Sequence, residues 1–382
     1  MNVVLFGAGA SYGSSHISPH SPPLGKDLFP FLVKRFPNTW GSLPEEYMRE
    51  FQSGNFEAGT LAILDNKSNS PKSDIDFPLM MRQMCMFFLS FLPDHSSDNS
   101  YSRFLITSFR TGILDRVVLS TLNYECLLET ACFQLGLPFA YFYENKKNEH
   151  GAAIWKLHGS CNFIPSRLSG IVNAAIQEDV PPTVSTISGS HIIGDVLPTV
   201  RRLTGSIIIG NVQIGGAAAD HHPTTRLTKS IVTGSVGQSR EGAEFKLNLF
   251  DGRGATVTSE IIALSPNAAI DWCQSEKNLF PAICLYSPDK RMVINPEQHD
   301  QIQKQWAQVV LQARSVVVVG VRPNLVDQHI WKPLSETEAR LYFVGSRDSF
   351  EKWKPVRKHS EPTFLGETFE STVEAVVDAL DK

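Results

Sequence analysis

Residues 1–13 read MNVVLFGAGASYG. The apolar run Val3 to Phe6 breaks directly into Gly7, Gly9 and Gly13. A buried parallel strand ending in glycines is how an α/β sheet brings its backbone up to a dinucleotide's phosphates, because a side chain there blocks the approach. The full G-x-G-x-x-G spacing wants glycine at position 12, which is Tyr12, and the third glycine comes one residue late. The stretch therefore fits two readings: a dinucleotide turn, and an ordinary strand-to-loop turn of an α/β protein.

Further along, the same alternation recurs. RVVLST (Arg116 to Thr121), PFAYFY (from Pro138), AIWKLHGS (Ala153 to Ser160), SVVVVG (Ser315 to Gly320) and ARLYFVG (from Ala339) read as strands. Helical patterns separate them: Lys26 to Phe36, NYECLLETACFQLG with Gly136 as its stop, Glu297 to Ala313, and Ser371 to Leu380. Strands alternating with helices predict a Rossmann-like parallel sheet flanked by helices. Residues 37–112 read as a helical excursion, with amphipathic stretches at Glu45 to Phe51 and Phe56 to Leu64 and the apolar run FPLMMRQMCMFFLSFL from Phe77. That run carries Arg82 and Gln83 and is short for a bilayer span, which makes it a buried or interface helix. Residues 165–262 turn to Gly, Ser, Thr, Ile and Val; SGSHIIGDV at Ser188 and TGSIIIGNV at Thr204 are near-copies, with IVTGSV at Ile231. This is read as a β-rich insertion between two parts of one domain, 1–164 and 263–382.

A chain of 382 residues, 42% hydrophobic and 19% charged, can bury a large core. Its net charge of -4 provides no global positive field, which argues against direct nucleic-acid binding and against an anionic membrane surface. Six cysteines without a C-x-x-C pair fit reduced thiols of a cytoplasmic protein better than a disulfide framework or zinc knuckle, so no metal is expected. The adjacent His221 and His222 point to opposite faces if in a strand, and an exposed loop explains them better than a metal pair.

Three polar stretches fall at the carboxyl ends of predicted parallel strands, where open sheets bind ligands: GAGAS at Gly7, TLNYE at Thr121 and LHGS at Leu157. Their order and chemistry resemble the sirtuin-like proteins, and more closely the divergent bacterial branch of NAD hydrolases in anti-phage defence, whose motifs read like GAGAS, T-x-N-Y-D and HGS. A strand leading into a glycine and an aspartate-containing loop, VVVVGVRPNLVDQHI from Val316, looks like the fourth family element. The resemblance covers residues 1–36, 113–163 and about 280–350.

It implies that Gly7, Ala8, Gly9, Ala10 and Ser11 line the pyrophosphate and ribose of NAD, with Thr121, Glu125, Gly320 and Asp327 completing the contacts. Asn123 would position the nicotinamide ribose and a water, and His158 would be the base. Histidine suits that role because its unperturbed pKa of about 6.5 leaves it mostly neutral at cytosolic pH. On their own, Asn123 also suits a helix N-cap, His158 a hydrogen-bonded strand end, and Ser11 and Asp327 turn or cap positions. Three departures stand out. Glu125 replaces the family's Asp with one more methylene, Val321 and Arg322 stand where an aromatic and a serine are common, and no four-cysteine zinc module follows His158. The last disfavours protein deacylation.

The implied activity is hydrolysis of NAD to nicotinamide and ADP-ribose by an antiviral effector, gated by homo-oligomer formation or by a partner such as a DNA-translocating ATPase. Two alternatives accompany it: a deacylase or ADP-ribosyl transferase, and a module that senses an NAD derivative without chemistry.

Overall fold

The structure is a computed structural model; it describes the chain outside residues 54–55, 70–74, 95–97, 143–150, 173–174, 179–186, 189–190, 194–201, 205, 210–244, 249–255, 277–278, 286–291 and 325–326. Two compact units emerge. One comprises residues 1–24, 90–160 and 297–382; the other comprises 25–89 and 161–296.

The main sheet of the first unit has seven strands: β1 (Asn2–Phe6), β2 (Val117–Thr121), β3 (Phe139–Tyr141), β4 (Ala152–Lys156), β5 (Ser315–Val319), β6 (Arg340–Val344) and β7 (Thr363–Gly366); a separate antiparallel pair joins Ile17–Ser18 to Leu92–Pro93. All seven run parallel, in the order β7-β6-β5-β1-β2-β4-β3. Its helices are α1 (Ala8–Tyr12), α2 (Ser100–Arg110), α3 (Leu127–Gln134), α4 (Pro296–Leu311), α5 (Gln328–Glu336), α6 (Arg347–Trp353) and α7 (Phe369–Asp381). This is the expected Rossmann-like α/β architecture.

The central strands are continuously apolar because helices cover both faces. Val3 and Leu5 of β1 join Val316, Val318, Trp306 and Trp331 in one core cluster. Phe6 points the other way and meets the rings of Tyr101, Phe104 and Phe369, centroids 5.4–5.6 Å apart. From β1 the chain leads across to β2, whereas from β5 it leads away to β6, so the carboxyl ends of β1 and β5 form the switch point at which such sheets place ligands.

Some elements differ from expectation. The glycine turn includes a five-residue helix, α1, with Gly7 as its N-cap. Helix α3 starts at Leu127 with Cys126 at its N-cap, so Asn123 does not cap it. The reason is local: the Asn123 N–H donates to Thr121 Oγ1 (3.0 Å) and the Leu127 N–H donates to Glu125 Oε2 (2.7 Å), an alternative to helical pairing for this segment. Strand β7 was not expected at all; it is a short edge strand, FLG-ended and half-buried.

The second unit contains helices at Gly25–Arg35, Glu45–Gln52, Phe56–Asn69, Phe77–Leu89 and Pro266–Ser275. Phe29 stacks on Phe51 with centroids 4.6 Å apart. The helix at Phe77–Leu89 is buried, including Met80, Met81, Met84, Phe87 and Phe88, and Arg82 donates to the Leu279 carbonyl (2.8 Å). Strands Phe163–Val172 and Thr256–Ala263 pair antiparallel. Within the near-copies, His191–Ile193 pairs in parallel with Ser206–Ile209. IVTGSV at Ile231, His221 and His222 lie outside the described residues. Among the described residues, no helix is long and apolar enough to cross a membrane.

Candidate active site

The site is built where β1, β2, β4 and β5 end. The turn after β1 and the turn after β5 are in backbone contact: Gly9 N–H donates to the Gly320 carbonyl (2.8 Å) and Gly7 N–H to the Val319 carbonyl (2.9 Å). Gly320 sits at φ +65, and a Cβ on it would stand 2.1 Å from the Ala10 nitrogen; a Cβ on Gly9 would stand 2.8 Å from Gly320 Cα. These glycines therefore serve the closure of the switch point by backbone on backbone. The opposite side of the turn is open, with Ala8 exposed and Gly9 half-buried.

Beneath that turn lies a buried polar network. Ser11 Oγ donates to Glu125 Oε1 (2.5 Å), and Asn123 Nδ2 donates to Ser11 Oγ (3.0 Å), Glu125 Oε1 (2.9 Å) and the Gly7 carbonyl (3.1 Å). Tyr101, from the first turn of α2, places its hydroxyl 2.8 Å from Ser11 Oγ. Because the single Ser11 proton is committed to Glu125, Tyr101 is the donor in that contact, and both lone pairs of Ser11 are then used. Burial, with Glu125 nearby, holds the Tyr101 hydroxyl well above its usual range, which keeps that donor proton in place. Burial also pushes the Glu125 carboxyl up, while the Lys156 ammonium and the Ser11 and Leu127 donors pull it back.

Lys156, the last residue of β4, supports this network from the side. Its Nζ donates to the Glu125 carbonyl (2.7 Å) and pairs with Glu129 Oε1 (2.9 Å), all inside the fold. Burial alone would lower the Lys156 pKa, but Glu129 and its neighbours outweigh it and the amine is held above its usual range. Sequence reasoning did not single out Lys156; a lysine inside an otherwise apolar strand is the signal that points to a buried acidic partner.

His158 follows directly on β4 and is 6% exposed. Gly159 adopts φ +74, the left-handed conformation that glycine supplies at least cost, so the glycine of HGS is a backbone requirement. The segment is tied to β2 by the Leu157 N–H to Thr121 carbonyl bond (3.0 Å), and Ser160 Oγ donates to the Tyr124 carbonyl (3.3 Å). His158 Nε2 lies 3.0 Å from Nε2 of His329, a half-buried residue in the first turn of α5. On the other side, Gln303 Nε2 contacts both the Leu157 carbonyl (3.2 Å) and His299 Nε2 (2.8 Å). Burial pushes the His299 pKa down to about 4, which keeps the ring neutral, and its Nε2 accepts because the Gln303 amide nitrogen can only donate.

Of the residues singled out in the sequence, Gly7, Ser11, Asn123 and Glu125 are joined by direct hydrogen bonds, and Thr121 orients Asn123 through its backbone. Ala8, Gly9 and Ala10 form the turn above them, Gly320 packs against that turn, and Asp327 caps α5 without a side-chain cap bond. Arg322 is exposed. Sequence reasoning missed Tyr101, His329, Gln303 and His299, which come from helices distant in the chain. Among the described residues, no three His, Cys, Asp or Glu side chains are arranged to hold a metal ion. No protein-family model and no curated protein sequence matches the chain.

Proposed function

We propose that the protein hydrolyses the bond between nicotinamide and ribose in NAD. The observation that carries this reading is the convergence of Ser11, Asn123 and Glu125 at the ends of β1 and β2, with an imidazole, His158, at the tip of the adjacent β4. Cleaving a glycosidic bond builds positive charge on the sugar carbon, so a site needs acceptors that orient the ribose and a base for the incoming water. In the balanced reaction the C–N bond breaks with its electron pair leaving on the nicotinamide nitrogen. Water oxygen adds to the sugar carbon, and the water's proton passes to His158. A positioned base of this kind contributes about 10²–10⁴-fold.

The residues fit such a substrate in a specific way. Since the Cβ side of Gly7 and Gly9 is filled by Gly320 and Val321, the pyrophosphate belongs on the open side at Ala8 and Gly9. Ser11, with its hydrogen-bonding capacity used, holds Asn123 and Glu125 rather than the substrate. The family resemblance extends the reading to cytoplasmic anti-phage defence, with cleavage gated by self-assembly or by a DNA-translocating ATPase, because an ungated enzyme would drain a central cofactor.

Purified protein incubated with NAD, alone and with candidate partners, is expected to release nicotinamide and ADP-ribose without added peptide. Asn123→Ala and His158→Ala are each expected to lower the rate by at least about 10²-fold while keeping the native circular dichroism spectrum. Turnover that requires an acyl-lysine peptide would replace hydrolysis by deacylation, and wild-type rates in either variant would overturn the assignment.

A further inference from the structure

A buried base must dispose of each proton it takes up, and His158 is 6% exposed. The only way the two Nε2 atoms can meet at 3.0 Å in a hydrogen bond is for one to carry hydrogen and the other a lone pair. The shared edge therefore holds one proton, and the tautomers of the two rings are coupled: the ring whose Nε2 donates has its Nδ1 as the basic nitrogen, and the ring whose Nε2 accepts carries its hydrogen on Nδ1.

His329 is placed for this contact by its helix. Ile330 and Trp331, the next two residues of α5, are buried in the core cluster, and their N–H groups donate to the Asp327 carbonyl at 2.9 and 3.0 Å. Gln328 is exposed and His329 half-buried, so His329 stands between the buried ring of His158 and the protein surface.

We propose that His329 is the proton partner of His158: a proton accepted by His158 at Nδ1 shifts the shared proton onto His329 Nε2, and His329 releases its Nδ1 proton to solvent. In this step one proton enters and one leaves, with no electron transferred. Once product has left, His158 Nδ1 gives its proton to water entering the emptied site, the shared proton returns to His158 Nε2 and His329 Nδ1 takes up a solvent proton, which restores the starting tautomers. The proposal rests on the NAD-hydrolysis reading for its source of protons, and it makes His329 a positioning residue acting through His158.

Two measurements test it. In protein labelled with ¹⁵N-histidine, a scalar coupling across the N–H···N hydrogen bond should link the two Nε2 atoms and vanish in His329→Gln. In steady-state kinetics, His329→Gln, which keeps a polar side chain but cannot relay a proton, should lower kcat by about tenfold or more with KM nearly unchanged, and added imidazole should restore the rate. Native circular dichroism of His329→Gln and of a milder His329→Asn variant controls for folding. Absence of the coupling in an active enzyme overturns the pair and the relay through it, and leaves the hydrolysis reading standing. A wild-type kcat in His329→Gln overturns the relay, as does a stoichiometric metal in the wild type that either variant loses. Coupling in a chain that consumes no NAD under any condition overturns the functional reading and the relay with it.

Discussion

His299 is the residue whose burial has the clearest thermodynamic consequence. Its folded pKa of about 4 lies below the unfolded value of about 6.5. Between these values the unfolded chain binds a proton that the folded chain does not, so stability falls as pH drops through that window and the loss levels off below about 4. At pH 5 the loss attributable to His299 is about 2 kcal/mol relative to neutral pH. Urea unfolding at pH 7.5 and pH 5 should show a smaller drop for His299→Gln than for the wild type, and equal drops would remove His299 from the pH dependence. Comparing the two proteins also cancels the opposite contribution of Glu125, whose raised carboxyl pKa costs stability as pH rises. At this scale the motif residues were legible and their partners were not. Ser11, Asn123, Glu125 and His158 stand in short local patterns, whereas Tyr101 meets Ser11 across 90 positions and His329 meets His158 across 171. No local pattern records such a pairing.

At the level of elements, the β1 and β5 turns depend on glycine for two separable reasons. Gly320 and Gly112 have nearly the same backbone, φ +65 and φ +67, but a Cβ on Gly112 meets nothing within 4 Å while one on Gly320 runs into the backbone of Gly9 and Ala10. Gly112→Ala should therefore cost only the left-handed penalty of about 1–2 kcal/mol. Gly320→Ala adds backbone displacement at the switch point and should cost clearly more, or prevent folding. Chemical denaturation of both variants decides this, and equal losses would mean that the turns do not pack as described. Strands β1, β2, β5 and β6 were readable because continuous β-branched and apolar runs suit a sheet covered on both faces. The start of α3 was not, because the side chains of Glu125 and Thr121 take backbone N–H groups that a helix would otherwise use. Strand β7 was also missed, since four half-exposed residues carry no periodic signal.

For the whole molecule, the apolar helix at Phe77–Leu89 bears on assembly. Its surplus of Met and Phe invited an interface reading, yet Met80, Met81, Met84, Phe87 and Phe88 are all buried within the single chain. Met84→Glu would place a carboxylate in fully buried surroundings at a cost of several kcal/mol. It should lower the thermal midpoint while light scattering reports the wild-type mass. An unchanged midpoint with an altered mass would instead place this helix in a contact between copies. The helices of the excursion up to Leu89 and the described strands of the insertion belong to one compact unit, 25–89 with 161–296, although more than seventy residues of the other unit separate them, whereas the last helix of the excursion, α2, belongs to that other unit. By itself the sequence determined the class of sheet, the ends of its strands and the motif residues carried there, because apolar periodicity and turn chemistry act over a few neighbouring positions. Only the tertiary structure decided which turns touch, which helices deliver Tyr101 and His329, and which segments share a core. Those outcomes depend on hydrogen bonds and packing between positions far apart in the chain, whose pairing is selected by the folded arrangement as a whole.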